Sequence, residues 1–173
     1  MKPPKIFVLY TVVVALLSVP LLAQYTPAKP AIGFDQLKSL VGEWEGKSAS
    51  GQPVHIIYQL VSGGTALMER LRPANEPEMM TMYTADGNRV AATHYCSTNT
   101  QPLMRSEPIS GPAKEFSFFF VSSTNLASPE TGHMDHLLLQ LADANHLSQQ
   151  WTWKEKGKTK VEVFHLTRTT DVL

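Results

Sequence analysis

From residue 43 to residue 168 the chain is a succession of short runs rich in β-branched and aromatic residues, each closed off by Gly, Pro, Asn or Asp. That rhythm marks an all-β protein. The runs fall near residues 43–50, 54–61, 64–71, 78–84, 89–96, 102–107, 114–121, 133–141, 146–154 and 159–168, about ten strands. Several links are so short that the flanking strands must pair as hairpins. "SGG" at 62–64, "ADGN" at 85–88, "ADAN" at 142–145 and "KGK" at 156–158 supply residues that tolerate left-handed turn geometry. A series of antiparallel hairpins either splits into a sandwich or closes on itself into a barrel, and only closure removes the exposed strand edges.

Ahead of the first strand, Phe34, Leu37, Leu40 and Val41 recur at helical spacing, with Asp35 near the start where a carboxylate suits the helix dipole. The expectation is therefore an up-and-down antiparallel β-barrel of about ten strands with a short N-terminal helix at its closed end.

The first 23 residues have a different character. Lys2 and Lys5 precede an apolar run from Ile6 to Leu22, and Ala23 occupies the last position before Gln24. This is the pattern of a cleaved secretory signal, although the run is close to the roughly 20 residues that span a bilayer and would anchor the chain if it stayed uncleaved. The expected organisation is a signal peptide over 1–23, a linker over 24–33 and one barrel domain over 34–173. Cleavage removes two of the 15 basic residues and none of the 15 acidic ones, leaving a net charge of about −2. Such a chain carries no nucleic-acid footprint. With one cysteine, Cys96, no internal disulfide can form, so a secreted or periplasmic location would leave stability to packing and the β ladder.

Two residues favour a closed barrel over a sandwich: Trp44 in "LVGEWEGKS" on the first strand and Arg168 in "VFHLTRT" on the last. The pairing resembles the calycin superfamily, which includes lipocalins and fatty-acid-binding proteins, where a first-strand G-x-W tryptophan packs beneath a last-strand arginine. With "THYC", "GHM" and "WTW", the mature chain is similar to bacterial secreted calycin-like domains of unknown function. The resemblance implies a small-molecule binder. The nitrobindins, a more distant branch, open with G-x-W-x-G-x-G and bind haem through a late histidine. Gly42, Trp44 and Gly46 fit that pattern, but Ser48 replaces the third glycine. The one histidine near the end, His165, is put outside by the strand period if Arg168, Leu166 and Phe164 face in.

The same period sorts the other strands. Phe116, Phe118 and Phe120 are expected inside; so are Leu137, Leu139 and Leu141, carrying His133 and Asp135 to the same face. Leu147, Gln149, Trp151 and Trp153 form another inward stripe. On the fifth strand His94 is read as inward together with Val90, Ala92 and Cys96. Glu69 from "ALMERL" and Gln101 and Arg105 from "QPLMRSEP" would then join His94 around one cavity wall. An apolar lining with a few polar groups describes a ligand pocket, and it also describes an ordinary barrel core.

Candidate ligand contacts are thus Glu69, His94, Cys96, Gln101, Arg105, Phe118, His133, Asp135 and Trp151, with Trp44 and Arg168 structural. The expected ligand is a small apolar or amphipathic molecule; no cofactor and no metal is assigned. "GHMDH" contains ligand types in His133, Asp135 and His136, but strand parity separates them and no standard zinc spacing is met. Cys96, His94 and Asp135 are the residue types of a hydrolase, yet the sequence offers no nucleophile elbow or oxyanion motif. Cys96 reads first as a small buried hydrophobe, since a reactive thiol needs an electropositive, accessible setting.

Overall fold

The computed structural model describes residues 31–169, so the expected signal segment over 1–23 lies outside the described residues. The chain forms a short helix, α1 (Ile32–Leu37), and ten strands. These are β1 (Gly42–Ser48), β2 (Pro53–Val61), β3 (Ala66–Pro73), β4 (Met79–Asp86) and β5 (Arg89–Tyr95), followed by β6 (Gln101–Ser106), β7 (Glu115–Thr124), β8 (His133–Leu141), β9 (His146–Glu155) and β10 (Lys158–Arg168). Each strand pairs antiparallel with its sequence neighbours, and β1 pairs with β10 to close the barrel. The expected all-β up-and-down barrel is the observed fold.

The turns follow their chemistry. At 156–158 Lys156 and Gly157 both adopt positive φ, 49° and 70°, as a tight hairpin between twisted strands requires. At 62–64 the chain makes a single 3₁₀ turn (Ser62–Gly64) instead of starting β3, which therefore begins at Ala66.

The helix begins at Ile32, inside the stretch expected as linker, and its last turn tightens to 3₁₀ (Lys38–Leu40). Phe34, Leu37 and Leu40 are buried and plug one end of the barrel against the rest of the core. Val41 was expected in the same stripe. It is 41% exposed, because the chain has already left helical geometry there to enter β1.

At this end the closure is sealed by Trp44 and Arg168, which are direct cross-strand partners. The guanidinium carbon of Arg168 lies 4.2 Å from the centre of the Trp44 ring, while the indole N–H donates to the Leu40 carbonyl at 2.8 Å. Arg168 also donates to the carbonyls of Ser39 (2.7 Å), Val41 (2.7 Å) and Ala144 (3.0 Å). One side chain thus caps the 3₁₀ turn, holds the start of β1 and ties down the β8–β9 turn. The two glycines around Trp44 are explained by close approach. A Cβ on Gly46 would stand 1.8 Å from the His165 carbonyl oxygen, so any other residue would push β1 away from β10. On Gly42 it would meet the Arg168 guanidinium at 2.9 Å, in a backbone with φ of 128°.

The inward faces are those the period implies over most of the barrel. Val54, Ile56, Tyr58, Leu67, Leu71, Tyr83, Val90, Ala92, Phe116, Phe118, Leu137 and Leu139 are all buried in one continuous core. Phe118 packs 5.7 Å from Tyr83, ring centre to ring centre. Large side chains therefore occupy the middle of the barrel.

Trp44→Ala should destabilise the protein by about 3–5 kcal/mol, as loss of a large core side chain does, and Arg168→Ala should cost less because its guanidinium is only half-buried. Denaturant melts that place Trp44→Ala within about 0.5 kcal/mol of the wild type, the range of an ordinary surface change, would contradict this closure.

Candidate functional site

Strand register brings a row of polar side chains into the apolar interior. Tyr58 on β2 faces Glu69 on β3, Glu69 faces Thr81 on β4, and Thr81 faces His94 on β5. All four point inward and are essentially inaccessible to solvent. Each sits in an inward stripe whose other members are apolar, such as Leu67, Glu69 and Leu71 on β3, so the alternation that buries the core buries these groups too. Gln149, inward on β9, completes the belt.

The hydrogen bonds converge on the carboxylate. Tyr83 Oη donates to Glu69 Oε2 at 2.8 Å, and Gln149 Nε2 donates to the same oxygen at 3.0 Å. Thr81 Oγ1 lies 3.4 Å from Glu69 Oε1 and 3.0 Å from His94 Nδ1. Gln149 Nε2 also reaches Tyr58 Oη at 2.5 Å, and Gln149 Oε1 accepts from the Trp151 indole N–H at 2.9 Å. The His94 ring rests against Trp151, centroids 4.6 Å apart. Its Nε2 is buried and has no hydrogen-bond partner among the described residues.

Burial sets the protonation behaviour of the belt. It raises the pKa of Glu69 above its ordinary value against the opposing pull of the hydrogen bonds from Tyr83, Tyr58, Gln149 and Thr81. Burial, and then the charge of Glu69, hold both tyrosines well above theirs. For His94, burial lowers the pKa from 6.5 to about 4, so its imidazole is neutral at physiological pH.

From Tyr58, paired with Gly42 near the plugged end, the belt runs to His94, two residues short of the open end of the barrel opposite α1. There a cleft of about 270 Å³ is walled by Leu71, Met79, Cys96, Met134, Trp151, Trp153 and Phe164, with Glu76, Thr98, Lys160 and Glu162 also on its lining. Cys96, two residues beyond His94 on the same face, joins β5 to the cleft; its sulfur accepts from Thr98 Oγ1 at 3.1 Å. A larger depression of about 550 Å³ lies on the outer surface at the plugged end, where Lys114, His146 and His165 line an open groove. The belt residues line neither opening, but Trp151, which stacks on His94 and donates to Gln149, is a wall of the smaller cleft, so that cleft is the candidate site.

Glu69, His94, Cys96 and Trp151 are thus brought together, and the other candidates are not. On β6 the inward residues are Pro102, Met104 and Ser106, because Met104 pairs with Ala92. Gln101 and Arg105 consequently face outward, Gln101 accepting from Thr124 and Asn125 and Arg105 pairing with Asp86 at 2.6 Å. Phe118 belongs to the packed middle of the barrel and does not reach the cleft.

A bulge breaks the β8 register between Met134 and His136, and the strand period fails to carry through it. Met134, beside Trp153, takes the cleft position expected for its neighbours. His133 is buried against Phe120 instead, with its Nδ1 2.7 Å from the Thr131 carbonyl. Asp135 turns to Lys154 at 3.3 Å. His136 points outward to Ser117 Oγ at 2.7 Å. Asp135 is therefore in no position to complete a trio with His94 and Cys96. Among the described residues no group of three or more His, Cys, Asp and Glu side chains is placed to hold a metal ion. His165 is exposed on the outer face of β10, as the strand period implied.

Sequence reasoning passed over Tyr58, Thr81 and Tyr83, and read Gln149 only as part of an inward stripe. The signal was present: a glutamate between two inward leucines must find donors, and these four residues occupy the inward positions of their own strands.

No family model matches the sequence, and no curated protein matches it. Solved structures similar in fold include the following two. Rv2717c from M. tuberculosis aligns with a TM-score of 0.56 at 14% identity, over 82% of this chain and 99% of that one. A protein of unknown function from the DUF3598 family of Nostoc punctiforme PCC 73102 aligns with a TM-score of 0.55 at 14% identity, over 78% of this chain and 49% of that one. At this identity the likeness concerns the architecture alone, that of the antiparallel barrel.

The depressed pKa of His94 has a consequence for acid stability. Between about 6.5 and about 4 the unfolded chain takes up a proton on this imidazole that the folded protein refuses, so stability present above that window is lost as the pH falls through it. The full effect is about 3 kcal/mol; Glu69, shifted upward, works in the opposite sense. An NMR titration should show the His94 ring remaining neutral down to about pH 5 in the folded state, and protonation near 6.5 would contradict its burial.

Proposed function

We propose that the protein is an exported small-molecule-binding barrel, lipocalin-like in its use of the open end, whose cleft takes an apolar or amphipathic ligand. The observation that carries this reading is the cleft itself. Its walls are apolar and aromatic, Trp151 and Trp153 foremost, while ionisable groups on its lining, Glu76, Lys160 and Glu162, can meet the polar part of a guest. Binding sites of this kind draw affinity from excluded water and orientation from a few polar contacts. A volume of about 270 Å³ suits a molecule of one or two rings better than a long-chain lipid, and the packed middle of the barrel supports the same conclusion. Met79 and Met134 give the walls adaptable, polarizable side chains. Cys96 acts here as a small wall residue.

An apolar fluorescent probe should change tryptophan emission in a saturable way, and Trp151→Phe should remove much of the response while preserving the fold, since the aromatic replacement retains most of the packing volume. Emission from Trp44, sealed at the opposite end, should not respond. A response of unchanged size in Trp151→Phe would locate the probe elsewhere.

A further inference from the structure

The hydrogen-bond geometry of the belt decides which head group the cleft can accept, given the binder reading above. Gln149 is the fixed point. An indole N–H can only donate, so the contact from Trp151 assigns the Gln149 oxygen to that side and turns its NH₂ toward Glu69 and Tyr58. Tyr83, Gln149 and Thr81 then present donors to the carboxylate, and Tyr58 adds a fourth. An ionised carboxylate offers about four lone-pair sites, and this donor set matches it. Among the described residues no lysine or arginine is buried, so the donors around Glu69 are all neutral.

The chain of hydrogens continues from there. Thr81 has one hydroxyl proton. Directed at Glu69 Oε1, it leaves Thr81 Oγ1 to accept from His94 Nδ1–H, and the neutral ring then carries a bare lone pair on Nε2. That atom is buried, has no partner, and belongs to a ring stacked on Trp151, a wall of the cleft. An unpaired polar atom in such a place costs free energy that a ligand can recover.

We infer that His94 Nε2 is the polar anchor of the cleft, that it accepts a hydrogen bond from the ligand, and that the ligand class is therefore one with a hydroxyl, phenol or N–H head group. Carboxylate-headed molecules are disfavoured twice: they bring an acceptor to an acceptor, and they bring a charge into a setting of low dielectric that offers it no cationic partner. Access to Nε2 from the cleft requires a shift of flexible wall side chains, for which the unbranched Met79 and Met134 are suited.

Three probes sharing one ring system test this: 2-naphthol, 2-methoxynaphthalene and 2-naphthoate, titrated calorimetrically into the wild type and Thr81→Val. In the wild type 2-naphthol should bind roughly three- to tenfold more tightly than the methyl ether, the effect of one hydrogen bond, and 2-naphthoate should bind most weakly. Thr81→Val frees Nδ1 from its partner and should erase the preference for the naphthol over the ether. Nitrogen-15 NMR of the ligand-free wild type should show His94 protonated on Nδ1 and bare on Nε2. A proton on Nε2, or naphthoate bound as tightly as naphthol, would overturn this inference while leaving the binder reading intact. Failure of all three probes to bind would remove the binder reading and the assignment of a ligand class with it.

Discussion

Everything in this barrel depends on the pairing of β1 with β10. The two strands lie at opposite ends of the chain, so bringing them together carries a loop-closure cost that local hairpins avoid. The structure concentrates its compensation at one spot, where Arg168 covers the Trp44 ring and binds three backbone carbonyls around it. A cation over an indole contributes about 0.5–2 kcal/mol, and the carbonyl contacts also pin the 3₁₀ turn that delivers the helix plug. The absence of a side chain at Gly46 lets the strands approach closely enough for this to happen. Closure in turn fixes the register all round, and register determines which side chains share the interior.

The buried belt is a product of that register. Tyr58, Glu69, Thr81 and His94 are adjacent because four strands are aligned as they are; a one-residue slip would send every one of them to solvent. A carboxylate in an apolar core is costly unless its hydrogen bonds are made, and here the donors come from the neighbouring strands β2 and β4 and from β9 across the barrel. The network therefore links distant walls of the barrel and penalises any packing that would leave Glu69 unmatched. One atom, His94 Nε2, stands outside the satisfied set, next to the wall of a cleft that the fold leaves at its open end.

Much of the fold was legible in the sequence because its signals are local. Hairpin turns announce themselves by Gly, Asn and Asp, and alternation identifies the inward residues wherever the strand is regular. The failures have physical causes. Alternation cannot pass a bulge, so His133 and Asp135 were assigned to a wall that Met134 occupies. On β6 the alternating residues Gln101, Leu103 and Arg105 gave no clear apolar face, and pairing with β5 rather than composition turned Gln101 and Arg105 outward. The site itself was half visible. Glu69, His94, Cys96 and Trp151 could be named from their stripes, whereas the partners that give Glu69 its state depend on cross-strand neighbours that no single strand encodes.

On the proposed reading, the packed barrel with its polar belt binds its ligand at one cleft, at the end opposite the helix. Methyl and indole NMR signals followed while 2-naphthol is added test this most directly. Saturable shifts confined to Met79, Met134, Trp151 and Trp153 are predicted, with the Trp44 indole unmoved. Shifts centred on the outer groove of Lys114, His146 and His165, or no saturable shifts at all, would contradict it.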